Sequence, residues 1–236
     1  MGRDGGMDLG RAFSYVFQDP QWVKKALIAL VMLVIPIVGW LILYGYMLRI
    51  MRQTALGVDV PLPEWDDFGG DFVRGFKGYV IQFIWYLPVL IVGFCIQFAF
   101  GLLGAAAGRG TEAETIRTLL TVCANCLSFI LGLMFAFIAP VFITRFAVTD
   151  RFAAAFALSE IFNETGRSVV NLLIVLIVSI LLGILALFGV LLCVVGILAT
   201  LLYALFVQAH LYGQVRRRLA AGGESAAAPS PVMPTA

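Results

Sequence analysis

The chain has 236 residues, of which 61% are hydrophobic and 13% charged, with a formal net charge of +2 and a mean hydropathy of +0.99. Soluble domains are about 45–50% apolar and about 25% charged, so this composition excludes an ordinary soluble globular fold. The near-neutral balance, with no basic run beside stacking aromatics, argues against a nucleic-acid partner.

The first predicted element is an amphipathic helix in which Leu9, Phe13, Val16 and Phe17 share one face. Such a stripe suits the headgroup region of a bilayer. Asp19-Pro20 then reads as an N-cap followed by a proline at the first helical position, which starts the next helix just before Trp22. Residues 1–25 are therefore expected to form an N-terminal interfacial segment. Charges are interspersed before the first apolar run and no A-x-A site follows it, so no cleavable signal is expected.

Lysine, arginine, aspartate and glutamate are absent from 26–48, 79–103, 118–144 and 169–210. About 20 residues rising about 1.5 Å each cross a hydrocarbon layer of about 30 Å, so these runs predict membrane helices. In the first run, Ile35-Pro36-Ile37-Val38-Gly39 places a missing backbone donor and a permissive glycine at the middle. Two forms fit it: a kinked single span, or a shallow re-entrant hairpin shielded by other helices. The positive-inside count favours the hairpin, which puts fourteen of the sixteen lysines and arginines on the cytoplasmic side, against ten for a single crossing. The run 169–210 is about twice the length of one crossing and predicts two spans that turn near Gly189–Gly196.

The predicted fold class is thus all-α: a polytopic membrane helix bundle of about four full spans plus an N-terminal kinked or re-entrant helical hairpin, with interfacial amphipathic helices. A further interfacial helix is expected over Asp150–Asn163, where Phe152, Phe156, Ser159 and Phe162 recur at helical spacing and Gly166 is a stop signal. The membrane domain is placed at 26–218, and 219–236, poor in large apolar groups, is expected to be a disordered tail. The expected location is the plasma or inner membrane, with both termini cytoplasmic.

Few residues suggest chemistry. Glu64, Asp66, Asp67 and Asp71 form the densest charge group. Paired carboxylates can hold a hard divalent cation, but the alternating ligands of a calcium loop are missing and acids are favoured early in a helix. With Arg74 and Lys77 one turn on, the cluster reads as a cap over the cytoplasmic mouth of the bundle, spanning Pro61 to Asp71. Inside the uncharged runs, Asn125 reads as an interhelical hydrogen bond, His210 as an interfacial hydrogen-bonding residue, and Gln208 joins them as a polar position of interest. Ser128 and His210 make a poor dyad, since Ser128 lies mid-span and His210 near a helix end. Cys123 and Cys126 form a C-x-x-C without a second ligand pair or a βαβ context, and with Cys95 and Cys193 they read as small apolar packers. Gly104 and Gly108 form a G-x-x-x-G at a span's end, where a loop reading is at least as good. No catalytic residue, metal ligand or cofactor is expected.

Several segments carry a family likeness: Met7-Asp8-Leu9-Gly10-Arg11-Ala12-Phe13-Ser14-Tyr15-Val16-Phe17 with Asp19-Pro20-Gln21-Trp22, then Ile35-Pro36-Ile37-Val38-Gly39-Trp40, Pro61-Leu62-Pro63-Glu64-Trp65-Asp66-Asp67-Phe68, and Gln208-Ala209-His210-Leu211-Tyr212-Gly213-Gln214. In this order, from about Met7 to Arg218, the chain resembles the multi-pass membrane family of unknown function DUF4013. The resemblance implies a bacterial or archaeal membrane protein and brings no established activity, so no residue inherits a catalytic role from it. Leu43-Tyr44-Gly45-Tyr46 and Leu211-Tyr212-Gly213-Gln214 also echo one another, each closing an apolar run at a basic boundary. The expected function is that of a non-enzymatic scaffold, assembly or accessory subunit, in contact with the lipid bilayer and with a membrane-protein partner or a second copy. A small permease, channel or lipid-handling protein is the alternative.

Overall fold

The computed structural model describes residues 7–58, 62–108, 110–189 and 193–227. All regular structure among them is helical: α1 (Leu9–Gln18), α2 (Trp22–Val34), α3 (Val38–Ala55), α4 (Phe68–Ala106), α5 (Thr111–Thr149), α6 (Leu158–Arg167), α7 (Val169–Phe188) and α8 (Cys193–Ala227), with a 3-10 turn at Phe152–Phe156. Among the described residues, α4, α5, α7 and Gly196–Gly222 of α8 are long and apolar enough to cross a membrane. The expected all-α polytopic architecture is therefore present. It divides into two compact units, one made of Met1–Gly78 with Pro140–Ala236 and one of Tyr79–Ala139.

In the first unit α1 starts where its capping residue sits, whereas α2 begins at Trp22 behind Gln21, which makes no side-chain cap, so Asp19-Pro20 is the turn ahead of the helix and not its N-cap and first residue. The Asp8 carboxylate accepts from the Arg11 amide at 2.8 Å, which begins α1. The Asp19 carboxylate accepts from the Gln21 amide at 2.7 Å, just ahead of α2. The run 26–48 is a hairpin, because α2 stops at Val34 and α3 starts at Val38. The reversal is a γ-turn: the Val38 amide donates to the Pro36 carbonyl at 2.8 Å, with Ile37 at φ 63, ψ −71. Trp40 Nε1 donates back to the Leu33 carbonyl at 2.8 Å and ties the two helices together. The tip is apolar and open, with Val34 and Ile37 61% and 71% exposed, as a surface turned to lipid would be.

α3 is the helix on which this unit is assembled. It packs along α2 and most extensively along α8. Two glycines allow its backbone contacts. A β-carbon on Gly45 would strike the Asp71 carbonyl in the first turn of α4, and one on Gly213 would strike Thr54 and the Met51 carbonyl. The echoed Leu-Tyr-Gly segments thus share a packing role, since each glycine lets another helix come close. Tyr15, Tyr46, Phe142, Phe146, Ile50 and Leu211 are among the fully buried side chains.

Two further expectations change. The stretch Asp150–Asn163 is not one helix. Asp150 ends α5 at φ 52, with its amide on the Phe146 carbonyl at 2.8 Å, and the Arg145 Nε–H takes the Ala154 carbonyl at 3.1 Å, which holds the segment in its 3-10 turn. α6 then starts at Leu158 and runs through Gly166 to Arg167. Pro140 lies inside an unbroken α5, where Thr144 Oγ1 donates to the Pro140 carbonyl at 2.6 Å. α8 continues to Ala227, past the start of the expected tail, and 228–236 lie outside the described residues. The run 169–210 does form two helices, and Gly189 permits the end of α7 to approach Thr200 and Gly196 of α8. The turn residues 190–192 are outside the described set.

The second unit comprises the distal parts of α4 and α5. Each of these helices is 39 residues long, roughly 58 Å at 1.5 Å per residue, so each runs well beyond the bilayer's hydrocarbon. Tyr86 meets Phe135 edge-on with ring centroids 5.0 Å apart. Arg117 closes the end of α4, donating from Nε to the Gly104 carbonyl at 2.8 Å and from Nη2 to the Gly108 carbonyl at 2.7 Å. Gly108 lies past the helix at φ 85, so this G-x-x-x-G is a helix terminus held by arginine.

Candidate functional site

The densest polar cluster lies where α2, α3 and α4 meet the segment from Leu62 to Asp67. Lys25 is 4% exposed, and its ammonium contacts Asp19 Oδ2 at 2.7 Å and Glu64 Oε1 at 2.6 Å and donates to the Leu62 carbonyl at 3.0 Å. Burial opposes the charge on Lys25, yet the bonds to Asp19 and Glu64 hold its pKa above the ordinary lysine value. Sequence reading missed this pair, because a lysine next to an apolar run looks like a boundary charge. The available signal was Asp19, a turn residue near enough in sequence to reach Lys25.

Arg49 and Arg74 complete the cluster. Arg49 contacts Asp66 at 3.0 Å and Asp71 at 3.1 Å. Arg74 contacts Asp71 at 2.6 Å and Asp67 at 2.7 Å. The Asp71 side chain is wholly buried and gives one oxygen to each arginine, so it fixes both guanidinium planes. Asp67 has its pKa lowered by the Gly70 amide and by Arg74, and Asp66 chiefly by its bond to Arg49. Lys77, expected among these helix pairs, instead approaches Asp150 at 4.0 Å.

The same segment is anchored by aromatic contacts. Trp65 stacks on Tyr46 with centroids 4.0 Å apart and planes 4° from parallel, and its Nε1–H donates to the Lys25 carbonyl at 3.1 Å. The Tyr46 hydroxyl donates to the Pro63 carbonyl at 2.9 Å. Leu62 to Asp67 is therefore bolted onto the base of the α2–α3 hairpin. Pro61 itself lies outside the described residues.

The other singled-out positions are also engaged with neighbours. His210 is 3% exposed, stacks on Tyr15 at 4.4 Å, and lies 3.1 Å through Nδ1 from Gln214 Nε2. Gln214 also pairs with Asp8, accepting from its amide at 2.9 Å and donating to its carbonyl at 2.8 Å. Gln208 reaches from α8 to Ser179 of α7 at 3.4 Å and to the Tyr212 hydroxyl at 3.1 Å. In the second unit, Gln97 Nε2 donates to Asn125 Oδ1 at 3.0 Å and lies 3.5 Å from Ser128 Oγ. Ser128 and His210 thus belong to separate sets of contacts in different units. Cys95, Cys123 and Cys126 are free and exposed, and the C-x-x-C makes no bond.

A further ion-pair set was not read from sequence. Arg145 bonds Glu160, and also Glu164 at 2.7 Å, while Arg216 of α8 takes the other Glu164 oxygen at 2.8 Å. These links fasten α6 to the end of α5 and to α8. No spacing rule joins Arg145 to Arg216 through Glu164, so only the tertiary fold reveals them.

No curated protein and no solved structure matches this chain. The family described as "Protein of unknown function (DUF4013)" matches over residues 28–213, through the hairpin, the four spans and the Gln208–Gly213 segment, and the chain belongs to that family.

Proposed function

We propose that the protein is a non-enzymatic membrane scaffold or accessory subunit, which works by presenting apolar helix faces to another membrane protein or to a second copy. The observation that carries this reading is where its polar groups go. Glu64, Asp66, Asp67, Asp71, Asn125, Gln208 and His210 all bond to other protein groups, mostly across helix boundaries. These bonds use the singled-out side chains to fix helices to one another. By contrast the most apolar stretch of α4 is almost wholly open, with only 6% of it buried.

The positive-inside bias supports cytoplasmic termini, with the Lys25–Arg49–Arg74 cluster at the same face of a plasma or inner membrane. A lipid-handling role is the second reading. It is favoured by an apolar groove of about 420 Å³ between α1, α2 and α8, lined by Phe17, Trp22, Leu30, Thr200, Tyr203 and Phe206 among others.

Extraction in a mild detergent, purification through a C-terminal tag and native mass spectrometry test the choice. A stoichiometric protein partner, of this or another sequence, is the expected result. A lone chain carrying bound lipid would overturn it in favour of lipid handling.

A further inference from the structure

We infer that the hairpin of α4 and α5 is a self-association surface that takes a second copy of this chain, centred on Gln97 and Asn125. The inference deepens the scaffold reading above and rests on it. It starts from an incomplete set of hydrogen bonds. Each carboxamide carries an acceptor oxygen and an NH2 with two donors. Gln97 Nε2 donates to Asn125 Oδ1 at 3.0 Å, and both residues are exposed. That bond leaves Gln97 Oε1 and the Asn125 NH2 without a partner among the described residues. Exchanging oxygen and nitrogen in both amides leaves the same inventory, so one free carbonyl and one free NH2 are present in either orientation.

Both residues lie within uncharged runs, 79–103 and 118–144, where lipid offers no hydrogen bond. The unmet donor and acceptor are complementary to each other, so a two-fold axis along the membrane normal lets Gln97 of one copy pair with Asn125 of the other, twice over. That is the self-complementarity an isologous contact requires. The surroundings allow the approach. Gly101 lies one helical turn from Gln97 on the same face of α4, and Gly132 lies two turns from Asn125 on α5. A β-carbon at either glycine would meet nothing within 4 Å, so both leave open space on the hairpin surface. An amide flanked by such glycines lets two backbones come close enough to bond.

The test is single-molecule photobleaching of the full chain in phosphatidylethanolamine–phosphatidylglycerol vesicles over a range of protein-to-lipid ratios. The wild type should show two-step bleaching that rises with density. Gln97→Leu with Asn125→Leu should weaken dimerisation on the order of tenfold, the usual scale for interhelical hydrogen bonds. Gly101→Leu adds a side chain where the single chain has room, so it should keep the protein monodisperse and helical while abolishing the dimer. A wild type that bleaches in one step at every density overturns the inference, as does a Gly101→Leu protein that dimerises normally. If such a monomer still co-purifies with a different protein, only self-association falls. If it carries lipid and no protein, the scaffold reading falls too.

Discussion

The two compact units are held together in different ways. In Met1–Gly78 with Pro140–Ala236, α1, α2, α3, α6 and α8 are joined by charges and stacked aromatics, most tightly around Asp71, Lys25 and Glu164. In Tyr79–Ala139, two apolar helices meet through a hydrogen bond between the Gln97 and Asn125 side-chain amides, a Tyr86–Phe135 contact and an arginine cap. Hydrocarbon on both sides of a membrane helix interface removes the hydrophobic drive for helices to associate, so packing and hydrogen bonds must do that work. The first unit concentrates its polar bonds where α2 and α3 return to one face. The second leaves most of its surface to whatever surrounds it.

The most severe way to break this contrast is Asp71→Ala. It removes the buried carboxylate that Arg49 and Arg74 share and leaves each, at 19% and 30% side-chain exposure, with one exposed partner, Asp66 or Asp67. Removing one partner of a buried pair costs about 3–5 kcal/mol, and the partial access of both arginines to water puts this case near the low end. Thermal unfolding in detergent should show the loss. Hydrogen exchange should place it in α3 and the first turns of α4, with the amides of 79–139 unchanged. The matching lesion in the hairpin, Gln97→Leu, should cost only about 0.6 kcal/mol within one chain. Equal losses at the two sites would erase the distinction between the units.

Trp65→Ala is the next largest. It removes the ring stacked on Tyr46 and the donor to the Lys25 carbonyl. Losing a large, half-buried aromatic with its hydrogen bond should cost about 2–3 kcal/mol. Trp65→Phe should recover the stacking share of that loss. If Trp65→Ala changes the unfolding midpoint no more than a surface substitution does, then Leu62 to Asp67 is not what holds the hairpin base.

How much of this was legible from sequence follows from the range of the forces involved. Hydrophobic runs are local, so the four spans and the turn at Pro36 are readable directly, as is the start of α2 just after Asp19-Pro20. Arg74 with Asp71 is an i, i+3 pair and equally readable. Arg49 with Asp66, Lys25 with Glu64 and Arg216 with Glu164 join distant elements, so they require the tertiary fold. The breakdown of Asp150–Asn163 was hidden for the same reason: its phenylalanines repeat at helical spacing, but Arg145 claims the Ala154 carbonyl from outside the segment. For the candidate site, the acids were named from sequence, while the cations that use them were recognised only in part.

Ile37→Gly should act in the opposite direction. A β-branched residue at φ 63 is strained, and the Ile37 side chain, 71% exposed, makes few contacts that would repay it. Glycine adopts this turn freely, so the substitution should stabilise the first unit by about 1 kcal/mol. A raised thermal midpoint with unchanged helix content is the expected reading. A lowered midpoint would mean that the isoleucine side chain anchors the tip in its surroundings.

The smallest effect is one of pH. Asp66 and Asp67 have pKa values lowered by Arg49, by the Gly70 amide and by Arg74. A carboxyl group that is more acidic in the folded chain than in the unfolded one favours folding when ionised. Its contribution is complete above the ordinary carboxylate range and disappears as pH falls through the lowered folded values. Both side chains are open to water, at 67% and 48% exposure, so the pairs are screened and the effect is modest. The thermal midpoint should therefore fall on acidification below about pH 4, the usual aspartate value. Asp66→Asn with Asp67→Asn should start lower at neutral pH and change less over that window, because these carboxylates no longer titrate. High salt at neutral pH should reproduce part of the same loss in the wild type and little of it in the double variant. Parallel pH curves would show that these exposed pairs contribute nothing measurable.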